Sequence, residues 1–353
     1  MTDIRIRRTV RPRPLRGPGG TSLRVEPRGL AAGLLLTAAT LALAVVLIGT
    51  GDFEMAPGDV VQTLLGNGSP ADDFIVNDLR LPRVLVAILV GAALGMSGAV
   101  FQSVSRNPLG SPDLLGFGYG SAVGALVVIV VFKGGATEVA LGAVVGGLLA
   151  GVLVYLLAYK KGIHGYRLVL VGIGASAVLV AVIQYLIAKA QIVEATRAMV
   201  WLTGSLAGRD WAQVWPLLAV CAVLFPLVLG QSRALRVIEM GDDAAYALGV
   251  PVERTRMLLM LAAVLLTTAA AAAAGPISFV ALAAPQLARR LTRSPGSNLL
   301  TGALMGTVLL LASDLASQRA FGSDQLPVGV VTGLVGGVYL LWLLVMERKA
   351  GRI

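Results

Sequence analysis

Few side chains of this 353-residue chain could do covalent or metal chemistry. There is one histidine, His164, and one cysteine, Cys221. A zinc, manganese or iron site gathers several His, Cys or carboxylate ligands. One of each along the chain does not supply that set, so no metal site is expected, and no intrachain disulfide is possible. No G-x-x-x-x-G-K-[ST] segment occurs, which excludes ATP hydrolysis on a phosphate loop. Gly116-Phe117-Gly118-Tyr119-Gly120 has glycines spaced like those of a nucleotide loop. It opens an apolar run with no strand before it, so it reads as packing. What remains is charge placed for contact. Arg80 and Arg83, in Arg80-Leu81-Pro82-Arg83, stand just ahead of an apolar run and could take carboxylates in charge-assisted pairs. The acidic residues Asp72, Asp73 and Asp78 are the plainer partners nearby. Asp314 is the carboxylate closest to a span, expected to accept a local hydrogen bond or to pair with Arg319.

A long polar connection, residues 231–256, interrupts the apolar chain. It contains Gly241-Asp242-Asp243-Ala244-Ala245-Tyr246-Ala247-Leu248-Gly249-Val250, mostly helix-forming, with Gly249 and Pro251 as stops. Its length among short connections predicts a docking surface on which a soluble motor protein acts, with a solvated connector as the plainer alternative.

The elements that must carry these residues are membrane helices. Hydrophobic residues make up 56% of the chain and charged ones 14%. A soluble domain holds roughly a quarter charged residues. The net charge of +10 does not point to nucleic acid, because the basic residues lie in the connections between apolar runs, where they orient the chain. Runs of about 20 apolar residues cover 29–51, 84–105, 114–132, 139–159, 168–188, 211–230 and 325–346, with a shorter one at 299–313. The stretch 257–288 is long enough for one very long helix or two modest ones. Gly275-Pro276 is a strong break. If the chain reverses there, ten helices result, both termini are cytoplasmic, and most of the 29 Lys and Arg fall inside.

Glycines four apart recur at Gly91/Gly95, Gly116/Gly120/Gly124, Gly142/Gly146, Gly147/Gly151, Gly302/Gly306 and Gly329/Gly333. Such pairs let helix backbones approach closely in lipid. Residues 1–28 are expected to be a disordered basic cytoplasmic arm that touches anionic lipid. Residues 29–347 form the transmembrane domain and 348–353 a basic cytoplasmic tail.

Several blocks, in order, resemble the iron–siderophore and vitamin B12 importer permeases. They are Arg80-Leu81-Pro82-Arg83, Gly91-Ala92-Ala93-Leu94-Gly95, Arg106-Asn107-Pro108-Leu109 and Pro112-Asp113-Leu114-Leu115-Gly116. Trp201-Leu202-Thr203-Gly204-Ser205-Leu206 with Trp211, then Gly241 to Val250, continue the pattern. Gly275-Pro276-Ile277-Ser278-Phe279-Val280, Ala284-Pro285, Asp314 and Leu326-Pro327-Val328-Gly329 complete it. Gly336-Gly337-Val338-Tyr339-Leu340 is similar to catecholate (enterobactin-type) permeases that work as unlike pairs.

The resemblance implies an all-α polytopic protein of type II ABC importer architecture. Two ten-helix permeases would surround a path, joined by two cytoplasmic ATPases and an extracytoplasmic binding protein, in a bacterial cell membrane. On this resemblance the ATPase-contact loop is Gly241, Asp242, Asp243, Ala244, Ala245, Leu248, Gly249 and Val250. Arg80 and Arg83 dock the binding protein. A third family arginine falls on Gln318, and the adjacent Arg319 is the candidate substitute. Pro285-Gln286 stands where the family usually has Pro-His. The cytoplasmic gate maps to Gly165 and Tyr166. The chain itself is then no enzyme, needs no cofactor, and passes a ferric siderophore already chelated. Cobalamin or haem as cargo, or a secondary carrier without an ATPase, are the alternatives.

Overall fold

The computed structural model describes residues 13–16, 22–25, 27–51, 53–113, 115–159, 165–294, 296–319 and 326–349. In hydrocarbon every backbone N–H and C=O must be bonded within the protein, and a helix does so locally. The apolar runs accordingly fold as helices.

The chain opens with a short antiparallel hairpin, β1 (Arg13–Arg16) and β2 (Ser22–Val25), in which Arg13 faces Val25 and Arg16 faces Ser22. The hairpin falls within residues 1–28, the stretch read from composition as a basic arm. The alternation Ser22-Leu23-Arg24-Val25 has the period of a strand, which a composition argument does not register.

α1 (Pro27–Gly49) starts on a proline, whose fixed φ suits a first helical turn. α2 (Pro57–Leu64) and α3 (Pro70–Asp73) are short, and α3 runs on as a π-helical segment, Phe74–Arg80. Then come α4 (Leu81–Ser105) and α5 (Phe117–Val127), the latter continued in π form over Val128–Phe132. α6 (Ala136–Ala158), α7 (Gly165–Lys189), the short α8 (Ile192–Leu202) and α9 (Trp211–Gly230) follow. The polar connection holds α10 (Ser232–Glu239) and α11 (Asp242–Ala247). The chain ends with α12 (Val252–Ala274), α13 (Val280–Thr292), α14 (Leu299–Arg319) and α15 (Val328–Lys349). α15 thus takes in Arg348 and Lys349, which the sequence assigned to the tail. Residues 350–353 lie outside the described residues.

The stretch 257–288 is two helices. α12 ends at Ala274, Gly275 adopts φ 76°, and α13 starts at Val280. Thirteen residues rise only about 20 Å, less than the roughly 30 Å of hydrocarbon. The irregular residues around the break are therefore covered by protein. Ser205 donates its backbone N–H to Ala274 O at 2.8 Å, and Gly329 donates to Gly204 O at 3.0 Å. Three sequence blocks far apart in the chain meet here.

α4 is the central helix. It packs on α14, α12, α13 and α9, and most of its side chains are buried. The glycine spacings explain how. A methyl group at Gly91 would lie 2.6 Å from Gly306 O, and one at Gly95 would collide with Gly302 O. Gly120 and Gly124 of α5 meet Gly146 and Gly142 of α6 in the same way. Two of the predicted pairs face two others. Gly333 is different, with no neighbour within 4 Å. Ser97 on α4 donates to Ala263 O of α12 at 2.9 Å and lies 2.7 Å from Thr267 Oγ1, so these two buried hydroxyls tie α4 to α12.

Candidate docking faces and central cleft

At one end of the bundle α10 and α11 form a small platform. Ile238, Ala245 and Val252 are buried together, with Val250 and Val237 against them. Gly241, at φ 125°, and Gly249, at φ 75°, make the two turns that bound α11. The platform is fastened by charge. Arg256, 2% exposed, reaches Asp242 at 2.8 Å and Glu253 at 3.3 Å, and Arg106, at the end of α4, reaches Asp242 at 3.2 Å. The predicted contact loop therefore divides by role. Asp242, Ala245 and Val250 hold it to α4 and α12. Asp243, Leu248 and Gly249 face outward, and Leu248 is 66% exposed beside exposed Met240 and Tyr246. An exposed apolar cluster on a charged platform is a surface for a protein partner. Sequence reasoning missed Arg256, because a lone charge at the head of an apolar run looks like the last residue of a loop.

Behind the platform lies a polar network, also missed. Gln102 Nε2 donates to Leu282 O at 3.0 Å, and Arg289 donates to Gln102 Oε1. Gln286, where the family usually has histidine, donates to Pro108 O. Burial pushes the Glu239 carboxyl above its ordinary range. The nearby Ser103 hydroxyl and the charges of Arg289 and Arg236 pull it back in part. The platform is thereby continuous with α4 and α13.

At the opposite end sit the three predicted docking arginines. Arg80 donates to Ile48 O and Phe53 O, each at 2.7 Å. Arg83 grips Asp314 with both arms, at 2.7 and 3.2 Å, and Gln318 donates to the same carboxylate at 3.0 Å. Arg319 donates to Thr50 Oγ1 at 3.0 Å. Of the two expectations for Asp314, the local hydrogen bond forms, from Gln318, and the pair with Arg319 does not. Asp314 is fully buried against α4, and Arg319, five residues along α14, projects from another part of the helix. Nor does the acidic stretch anchor the arginines, since Asp72 bonds Ser69 and Asp73 bonds Asn77. Arg80, Arg83 and Gln318 instead line one cavity of about 350 Å³, together with Thr50 and Phe53.

Between the two ends a cleft of about 480 Å³ opens among α5, α7, α12, the 275–278 break and α15. Thr203, Thr267, Gln184, Ser278 and Tyr119 are its polar lining. Asp113, in the connection before α5, also lines it. Burial raises the Asp113 carboxyl to about 6, although it accepts a hydrogen bond from the backbone of Phe279. Among the described residues no three His, Cys, Asp or Glu cluster as a metal site, and Cys221 is buried alone within α9. Of the predicted gate, Gly165 begins α7, and Tyr166 is 82% exposed. His164 lies outside the described residues.

A bundle of apolar helices with a small-residue core and a hydroxyl-lined cleft is the architecture of a membrane permease. The sequence profile of the FecCD transport family matches residues 36–346, and the chain belongs to that family. It is 46% identical over 325 residues to the ferric enterobactin transport system permease protein FepG of Escherichia coli (strain K12), covering 92% of this chain and 98% of that protein. It is 35% identical over 324 residues to the iron(3+)-hydroxamate import system permease protein FhuG of Bacillus subtilis (strain 168), covering 88% and 96%. A solved inward-facing structure of an ABC transporter of metal-chelate type superposes with TM-score 0.78 at 26% identity, over 90% of this chain and 99% of that one. The chain is thus a multi-pass permease subunit of an ABC importer with the ten-helix type II architecture, and ATP hydrolysis belongs to a separate subunit.

Proposed function

We propose that this permease carries ferric siderophores, handed over chelated by an extracytoplasmic binding protein, into the cytoplasm. The observation that carries the reading is the near end-to-end match to a ferric enterobactin permease, 92% of one chain against 98% of the other. The cleft agrees with it. Hydroxyl and amide groups with few charges contact a bulky polar chelate weakly, and weak contacts let cargo leave as well as enter.

The partner assignments are part of the same proposal. Leu248, Tyr246 and Met240 on the α10–α11 platform meet an ATPase dimer, on the cytoplasmic side with both termini. Arg80, Arg83 and Arg319 mark the binding-protein side, with Arg319 the most exposed of the three, since Arg83 is committed to Asp314 and Arg80 to the carbonyls of Ile48 and Phe53. The exposed apolar face of α15 and the open side of the cleft suit a second, paralogous permease. Gly165 and Tyr166 stand at the inner end of α7 as a gate.

The test is radiolabelled uptake by a strain lacking its own permease, complemented with this chain and its cognate subunits. Ferric catecholate siderophore should accumulate in an ATP-dependent manner and cobalamin should not. Cobalamin uptake without siderophore uptake would reverse the cargo assignment. Uptake that persists without any ATPase would identify a secondary carrier.

A further inference from the structure

A second groove, of about 550 Å³, lies away from the docking faces and the cleft. It runs between α1 and the start of α14, at the end of the bundle that carries α10. The α1 wall is notched at Gly33, which has no neighbour within 4 Å. Leu34, Leu229, Leu300 and Leu304 make the trough apolar. At its mouth the lining turns polar, with Ser232, Arg236 and Ser294. The aliphatic stem of Arg236 passes Gly296, where an added methyl would lie 3.8 Å from its Cδ. Among the described residues no ion pair or hydrogen bond occupies the Arg236 guanidinium. Glu239, one turn along α10, feels its charge without pairing to it.

We propose that this groove binds one anionic phospholipid of the cytoplasmic leaflet, an acyl chain along the α1–α14 trough and the phosphate at Arg236. The lining combines leucines with the cationic Arg236, the two chemistries that a lipid chain and its phosphate present. Basic pockets between spanning helices at the cytoplasmic surface select anionic headgroups. A guanidinium on a long apolar stem reaches that depth without leaving water. A zwitterionic lipid would offer the same phosphate but bring its own cation beside it, so its net attraction to Arg236 is weaker. The bound lipid would brace α1 against α14 beside the α10–α11 platform. Its assignment to the cytoplasmic leaflet rests on the proposed ATPase side, and the binding itself does not.

The experiment uses the full chain in nanodiscs of phosphatidylcholine doped with phosphatidylglycerol that carries a photoactivatable acyl chain. Labelled peptides are mapped by mass spectrometry. Labelling should concentrate in α1 and the first turns of α14. Arg236→Gln should lower it about fivefold, the loss of one basic contact at a membrane surface, while Arg236→Lys retains it. Gly33→Trp, which fills the notch, should abolish it. Photoactivatable phosphatidylcholine should label less, and should fall less in Arg236→Gln. Equal labelling by both lipids, labelling unchanged in Arg236→Gln, or cross-links showing the chain's own residues 17–26 in the trough would each overturn the proposal. Nanodiscs expose both leaflets, so a mistaken ATPase side would still leave the labelling intact. That side is read separately by ATPase pull-down.

Discussion

Arg83 and Asp314 show how a residue's role depends on what surrounds it. From sequence, Arg83 is an exposed cation waiting for a partner. In the fold its guanidinium holds a fully buried carboxylate, and only a fifth of the side chain meets solvent. Removing one member of a buried pair strands the other charge, at roughly 3–5 kcal/mol. Arg83→Ala should therefore lower thermal stability in detergent by several degrees or prevent accumulation. The double variant Arg83→Ala/Asp314→Ala should recover much of that loss, which a double-mutant cycle measures as coupling. Additive losses would mean that the pair is incidental. Arg319→Glu, at an exposed side chain bonded to Thr50, is the cleaner probe of docking. It should weaken loaded-binding-protein affinity most at low salt, because exposed charges are screened beyond about 10 Å at 0.1 M. Unchanged affinity there would leave Arg319 as an anchor for Thr50.

At the scale of elements, helix contact is decided by where a Cβ is missing. Gly95 and Gly333 both sit in glycine pairs four residues apart, and the sequence offers no way to rank them. Gly95 touches the α14 backbone, whereas Gly333 faces open space. Gly95→Leu should force α4 away from α14. Overpacking a core costs about 1–3 kcal/mol where side chains can shift, and backbone facing backbone leaves nothing to shift, so loss of the folded protein is expected. Gly333→Leu should express and remain monodisperse on gel filtration. Equal tolerance of both would contradict the packing described here. If Gly333→Leu folds but loses the partner permease, the open face of α15 is the place to look for that contact.

For the whole molecule, function depends on surfaces that this chain does not complete alone. Leu248→Arg puts a charge at the centre of the apolar cluster on the platform. Burying it unpaired against a partner costs several kcal/mol. Insertion and thermal stability should be normal, because Leu248 makes no part of the buried cluster beneath it. ATPase pull-down and transport should fail together. If both survive, the platform is not the motor contact. The complementary prediction concerns the path. His164→Ala with Cys221→Ser should leave ferric-siderophore uptake near wild type, since a cargo that arrives chelated needs no ligands from the permease. A metal-dependent loss of uptake in that double variant, at normal expression, would point to direct coordination.

The sequence by itself determined the class of element, the break at Gly275-Pro276, the small-residue helix contacts and the platform at 241–250. Each of these is a local property: apolar length, a residue that cannot continue a helix, a missing side chain, a polar run between spans. The ordered blocks carried family membership as well, because shared ancestry leaves its record in linear order. Which glycines face which, that Asp314 takes Arg83 rather than Arg319, that Arg256 is buried under the platform and that Arg236 stands at the mouth of a trough were decided only in three dimensions. These are pairings between helices far apart in the chain, 231 residues apart for Arg83 and Asp314. Helical periodicity states which residues share a face, but not which neighbour that face meets. In a bundle where nearly every helix is apolar all round, hydrophobicity does not choose the neighbour, and close packing and charge pairing do.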